Sequence, residues 1–199
     1  GTALEGTCLY VQGPPGSGKT YTGSRMIAHL LSLGQRVGIM SNSHKAINHL
    51  MAGAMRVANE HGLNVVAIKK ASRGNPDSEL NEADLCVQNE YVNKDVWANE
   101  PQLIGGTAWL FADAEGDQVL DCLFVDEAGQ FALANLIAAG TCARNIVLLG
   151  DQMQLAQPVQ GVHPGRSGES SLDFLLDGAA TIAPERGIFL ATSYRMHPK

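Results

Sequence analysis

The segment Gly13-Pro14-Pro15-Gly16-Ser17-Gly18-Lys19-Thr20 constrains this chain more than any other part of it. It satisfies the pattern Gly-x-x-x-x-Gly-Lys-Thr in full, follows the compact apolar run Cys8–Gln12 and opens a helix-like stretch, which is the context a phosphate-binding loop requires. Glycines at 13, 16 and 18 let the backbone curl until successive N–H groups point inward at phosphate oxygens. The helix that follows adds its N-terminal partial positive charge. Lys19 is suited to neutralise the β- and γ-phosphates of ATP, and the Thr20 hydroxyl to ligate Mg2+. Tyr21 follows at once and joins the candidate nucleotide-binding set. A Gly-x-Gly-x-x-Gly fingerprint is not present, which excludes a dinucleotide fold of that kind.

Short apolar runs alternate with helix-like stretches along the rest of the chain. That alternation predicts an α/β domain, a parallel sheet with helices on both faces. Strands are expected at Cys8–Gln12, Val37–Met40, Val65–Ile68, Leu103–Phe111, Asp121–Asp126, Asn145–Gly150 and Gly187–Ala191. Helices are expected at Lys19–Leu33, with Met26, Ile27, Leu30 and Leu31 on one face, at Lys45–Asn59, and at Ser171–Leu176 with Ser170 or Ser171 as cap. Residues 70–100 are rich in Asn, Asp and Glu and read as an irregular surface excursion, with one short helix near Glu90–Ala98. All 199 residues are expected to form a single domain.

The net charge of −6 argues at first against nucleic acid. Its distribution weakens that argument. Residues 1–60 carry Lys19, Arg25, Arg36, Lys45 and Arg56 against only Glu5 and Glu60, while most of the acid lies between Asp77 and Glu127. A nucleic-acid face would therefore be local. The four cysteines are widely spaced with no Cys-x-x-Cys pair and read as reduced core thiols. No apolar run approaches the ~20 residues needed to span a bilayer, and no secretory signal pattern opens the sequence. Cytoplasmic residence is the expectation, or nuclear in a eukaryote.

Two further apolar runs end in polar tips. Leu123-Phe124-Val125 leads into Asp126 and Glu127, and strands of such sheets deliver their C-terminal ends to the ligand crevice. There Asp126 can hold Mg2+ through its water shell, and Glu127 can direct the attacking water as general base. Val147-Leu148-Leu149-Gly150-Asp151 leads to Gln152 and Gln154, either of which can contact a γ-phosphate. Ser193-Tyr194-Arg195 follows the last apolar run, where an arginine can stabilise charge on the transferring phosphoryl group.

Together these segments resemble the first RecA-like motor domain of superfamily 1 helicases, in the branch of the nonsense-mediated-decay and replication helicase-nucleases. Gly13–Thr20 is similar to motif I, Asp126-Glu127-Ala128-Gly129 to motif II, Gly150–Leu155 with Pro158-Val159 to motif III, and Tyr194-Arg195-Met196-His197-Pro198 to motif IV. The resemblance implies that Gln154, the glutamine before leucine, is the γ-phosphate contact of motif III. It implies that Arg195 contacts the same phosphate and that Tyr194 flanks the nucleotide. Ser41–Leu50 resembles motif Ia and Gly105-Gly106-Thr107 motif Ic, which makes Ser41, Ser43, His44 and Thr107 candidate contacts to the backbone of single-stranded DNA or RNA.

The resemblance further implies an ATP-hydrolysing helicase that moves along a single strand, 5′ to 3′ by analogy with the branch. A second RecA-like domain, absent from this chain, would form the other wall of the cleft, and a fused nuclease is the branch's common neighbour. Three positions depart from the family's pattern. His44 stands where asparagine is usual, Gly129 where threonine or glutamine is usual, and Ser193 where glutamine is usual. No adenine-reading glutamine segment precedes the loop. Two other functions fit a phosphate loop, a P-loop phosphotransferase and a nucleotide-switched binding module. The first needs an arginine-rich lid that the sequence does not show.

Overall fold

A computed structural model describes residues 5–151 and 164–194. Eight strands form one sheet in the order β4-β3-β5-β2-β6-β7-β1-β8, and every pairing is parallel. The strands are β1 Cys8–Gln12, β2 Val37–Met40, β3 Ala67–Lys70, β4 Val87–Glu90, β5 Leu103–Gly106, β6 Leu120–Asp126, β7 Ala143–Gly150 and β8 Gly187–Phe189. The helices are α1 Lys19–Ser32, α2 His44–Glu60, α3 Asn93–Ala98, α4 Ala108–Phe111, α5 Leu133–Gly140 and α6 Ser171–Leu176. Because all strands run one way, their C-terminal ends line a single edge.

Side chains alternate across each strand, and here both faces are covered. Val11, Ile39, Phe124, Val147 and Leu149 meet Ile27 and Leu31 of α1 and Ile47, Leu50, Met51 and Met55 of α2. Their neighbours Tyr10, Met40, Ile104, Leu123, Val125 and Leu148 meet Trp97, Leu110, Phe111, Leu136 and Leu172 on the other face. A strand buried on both sides reads as a continuous apolar run, so the central strands stand out in the sequence. Cys122 and Cys142 lie in this core, whereas Cys8 and Cys86 are exposed, which corrects the view of all four as core thiols.

The peripheral half departs from expectation. The third strand is Ala67–Lys70, displaced from Val65–Ile68, because it continues through a lysine whose side chain is fully buried. The run Leu103–Phe111 divides: β5 ends at Gly106, and Ala108–Phe111 makes one helical turn. Residues 70–100 are not irregular throughout. They supply β4 at the sheet edge and α3, and the loop between β3 and β4 is tied down by side chains. Ser78 Oγ accepts from the Ser72 N–H at 2.8 Å, Asn89 Oδ1 from the Leu80 N–H at 2.9 Å, and Tyr91 donates its hydroxyl to Glu79 Oε1 at 2.6 Å. The apolar Leu133–Gly140, with no polar face to give it a period, forms α5 without having been foreseen.

Candidate functional site

The loop after β1 adopts the geometry its glycines permit. Gly16 and Gly18 have φ of 79° and 87°, a left-handed conformation that side chains disfavour. Gly13 is required for closeness instead: a Cβ there would collide with Ser17 Oγ and sit 3.1 Å from Leu190 Cβ. Lys19 folds back over the loop and donates from Nζ to the carbonyls of Gly13 at 2.6 Å and Pro14 at 3.0 Å. Ser17 Oγ is buried with no hydrogen-bond partner among the described residues. Pro15, Gly16, Gly18, Lys19 and Thr20 line one wall of a cleft of about 560 Å³.

Asp126 and Glu127, delivered by β6, line the same cleft with Gly150 at the end of β7. Burial pushes the Asp126 carboxyl up to about 6, and the neighbouring charge of Glu127 adds to the rise against the pull of the Glu127 N–H and Lys19. Its Oδ1 accepts the Glu127 N–H at 3.0 Å. Glu127 itself has φ of 54°, an uncommon conformation for a residue with a side chain. Strain of this kind persists where the surroundings over-determine it. Gly129 follows two residues later, where a Cβ would lie 3.1 Å from the Asp151 carbonyl oxygen and 3.4 Å from Leu172 Cδ1. The bulkier residue usual in superfamily 1 has little room here.

Chain from the far end closes the cleft. Leu190 N–H donates to Gln12 O at 2.8 Å, Ser193 Oγ to Pro15 O at 2.9 Å, and Tyr194 N–H to Gly16 O at 2.9 Å. Tyr194 thereby lines the cleft with an exposed ring. Tyr21 does not line it. Its ring turns outward under the Arg25 guanidinium, 3.5 Å from the ring centre, because helical spacing puts the two on one exposed face of α1. That corrects its inclusion among the nucleotide-binding residues. Gln154 and Arg195 lie outside the described residues.

The candidate nucleic-acid residues occupy the adjoining part of the edge. Met40 of β2 is in register with Val125 of β6 on one side and Gly106 of β5 on the other, so Ser41 and Thr107 follow adjacent strand ends. Ser41 is fully buried; its hydroxyl donates to Glu127 Oε2 at 3.5 Å and accepts the Ser43 N–H at 3.3 Å. Ser43 caps α2 by accepting the Ala46 N–H. His44 has Lys69 Nζ 3.1 Å from Nδ1 and Ser72 Oγ 3.4 Å from Nε2, so both ring nitrogens are occupied within the protein. It braces the β3–β4 loop rather than offering its ring to a strand, a correction to its predicted role. Thr107 makes no side-chain cap bond to α4.

The sequence matches the AAA domain family AAA_19 over residues 1–160. The chain belongs to the AAA domain family. This AAA domain is 25% identical over 153 residues to the DNA replication ATP-dependent helicase/nuclease DNA2 of Saccharomyces cerevisiae, covering 73% of the chain and 10% of that relative. The chain thus spans about a tenth of the relative's length. Among solved structures, the arterivirus nonstructural protein 10 helicase in complex with DNA superposes with a TM-score of 0.50 at 16% identity, over 93% of this chain and 35% of that one. The Pif1 helicase of Candida albicans gives a TM-score of 0.44 at 18% identity, over 96% and 37%. The fold is the RecA-like fold of helicase motor domains.

Three cleft residues of the AAA domain escaped the sequence reading. Lys45, Ala46 and His49 face the nucleotide side from the first turns of α2. Lys45 and His49, four residues apart, share a helix face, and that spacing was the available signal. Gln12 is a fourth omission of a different kind. Its Oε1 accepts the Ile182 N–H at 2.6 Å and its Nε2 donates to Ala180 O at 2.9 Å, which fastens the segment before β8 beside the loop.

Proposed function

We propose that this AAA domain binds ATP with Mg2+ and hydrolyses it as the first motor domain of a superfamily 1 DNA or RNA helicase. The observation that carries the reading is one cleft containing the phosphate loop, Asp126 and Glu127 together. Thr20 and Asp126 would hold Mg2+, which when bound neutralises phosphate charge. A buried carboxylate pushed up to about 6 by burial suits a dication, whose charge offsets the cost of ionising it. The buried, unpartnered Ser17 hydroxyl leaves a polar group free in the loop for the bound nucleotide.

Chemistry follows from the groups present. Lys19 leaves the Gly13 and Pro14 carbonyls for the β/γ-phosphates, a charge-assisted contact stronger than the ones it exchanges. Glu127 takes a proton from water as the water oxygen bonds to the γ-phosphorus. The bond from that phosphorus to the β–γ bridging oxygen breaks, giving ADP and phosphate. Gln154 and Arg195 are assigned to the γ-phosphate and Tyr194 to the nucleotide. The Ser41–Glu127 hydrogen bond joins the carboxylate that directs water to the edge that would meet a single strand.

A second RecA-like domain would close the cleft and convert hydrolysis into steps along the strand, and a nuclease neighbour fits the helicase/nuclease name of the yeast relative. The test is steady-state ATP hydrolysis by the full-length protein with and without single-stranded DNA or RNA. Strong stimulation by one of them supports the motor and names its track. ATP binding with no stimulation by either turns the reading to a nucleotide-switched module. Glu127→Gln is expected to keep ATP affinity within about 3-fold and to lower turnover by a factor on the order of 100 or more.

A further inference from the structure

The two tryptophans of the chain are opposites. Trp97 of α3 is 7% exposed and stands edge-on to Phe111, with ring centres 6.3 Å apart. Trp109 is 86% exposed. A large aromatic ring left in water forfeits the burial that usually accounts for a tryptophan, so packing does not explain this one. Nor does a loose backbone. Trp109 lies in the single turn of α4, whose Leu110 and Phe111 are fixed in the core. The Ala112 N–H reaches Ala108 O at 2.9 Å and the Leu110 N–H reaches Thr107 O at 3.0 Å. From α3, Asn93 Nδ2 donates to the Trp109 carbonyl at 3.5 Å and to Asp113 Oδ2 at 2.9 Å. The ring is held out to solvent by an anchored turn.

Its location gives it a use. Trp109 comes two residues after Thr107, where β5 reaches the edge that also carries Ser41 and Ser43. Ser41, Ser43 and His44 use their polar side-chain atoms inside the protein, whereas the Thr107 hydroxyl makes no cap bond and the Trp109 ring stands in solvent. Resting on the reading that this edge meets a single strand, we propose that Trp109 is a base-stacking platform, with Thr107 beside it as a contact to the sugar-phosphate backbone. Every base has a π-face, so such a platform accepts any sequence, and only an unpaired strand can lay a base on it. Stacking releases no counterions. It therefore adds affinity that salt leaves alone, whereas phosphate contacts weaken as salt rises.

The two tryptophans supply the measurement. The protein is titrated with oligo(dT) and oligo(U) of about 12 nucleotides, following intrinsic fluorescence and, separately, the anisotropy of labelled oligonucleotide. The expected result is quenching of the exposed tryptophan while the buried Trp97 serves as an internal reference. Trp109→Ala should abolish the quenching and weaken binding about 5- to 100-fold at every salt concentration, with the salt slope and the melting temperature unchanged. Trp109→Phe, which keeps a stacking face, should retain most of the affinity. Unaltered binding by Trp109→Ala, or wild-type binding without quenching, overturns the platform and leaves the single-strand reading intact. Equal competition by duplex also overturns it. Failure of the wild-type protein to bind any oligonucleotide, with or without nucleotide present, removes the single-strand reading and the platform together.

Discussion

The cleft at the ends of β1, β6 and β7 and the edge beyond β2 are built from different materials. The cleft is largely backbone: a loop whose conformation requires glycine, a strained Glu127, and N–H to carbonyl bonds from Leu190 and Tyr194. The outer edge and the loop behind it are held by side chains, with Lys69 at the centre. Its ammonium is wholly enclosed and donates to Lys70 O at 2.8 Å and Ser78 O at 2.9 Å, with His44 Nδ1 at 3.1 Å. An isolated charge is rarely left inside a protein. Here it satisfies carbonyls and an imidazole, with no carboxylate among the bonds it makes. Backbone-built geometry restricts which residues can occupy a position, whereas side-chain networks can be rebuilt from other residues.

The largest expected effect lies on the cleft side. Lys19→Ala should weaken ATP binding on the order of 100-fold or more, measured by titration calorimetry, with little change in melting temperature. Normal affinity would break the view that the loop and its lysine act as a unit.

Next comes the enclosed ammonium. Burial first, and Lys70 second, push Lys69 down to about 8 from an ordinary 10.5. Below about 8 both folded and unfolded chains carry the proton, and the folded state bears the full cost of enclosing it. Between about 8 and 10.5 the unfolded chain binds more protons, so stability from this group rises with pH, by about 3 kcal/mol at most. Burial also lowers His44, which faces it and stays neutral through that window. Lys69→Met should erase the rise in a comparison of denaturant unfolding at pH 7.5 and 9.5. At the lower pH it should cost about 1–3 kcal/mol by leaving carbonyls without donors. An identical pH trend in both proteins would separate Lys69 from the stability of this region.

The smallest effect is expected at His44→Asn, which installs the residue usual in superfamily 1. It should cost about 1 kcal/mol of stability while changing oligonucleotide affinity by less than about 2-fold. A larger loss of affinity would return His44 to the nucleic-acid surface and blur the division drawn between the two regions.

The same division governs what could be read from the sequence. The phosphate loop, β1, β2, β6, β7 and the pair Asp126-Glu127 were legible because positive φ, close approach and two-sided burial each leave a compositional mark. The β3–β4 region was not. Lys69 lay just past the expected strand, and Ser78, Asn89 and Tyr91 fell in the stretch read as a surface excursion, because their partners at Lys70, Ser72, Asn75, Ser78, Glu79 and Leu80 reach them only through the way the loop turns back on itself. Tyr21 was misjudged for a related reason: sequence adjacency to Thr20 says nothing about which side of α1 a residue faces. Ser41, Ser43 and His44 were picked for chemistry they possess and spend on their own neighbours.

The bonds that tie Leu190, Ser193 and Tyr194 to Gln12, Pro15 and Gly16 bear on the order in which this domain is made. The phosphate loop at Gly13–Thr20 leaves the ribosome well before its outer wall at Leu190–Tyr194. At about 5–20 residues per second, the loop waits on the order of ten seconds or more for its wall. During synthesis, only a chain translated through Tyr194 carries both the loop and the wall that these bonds attach to it.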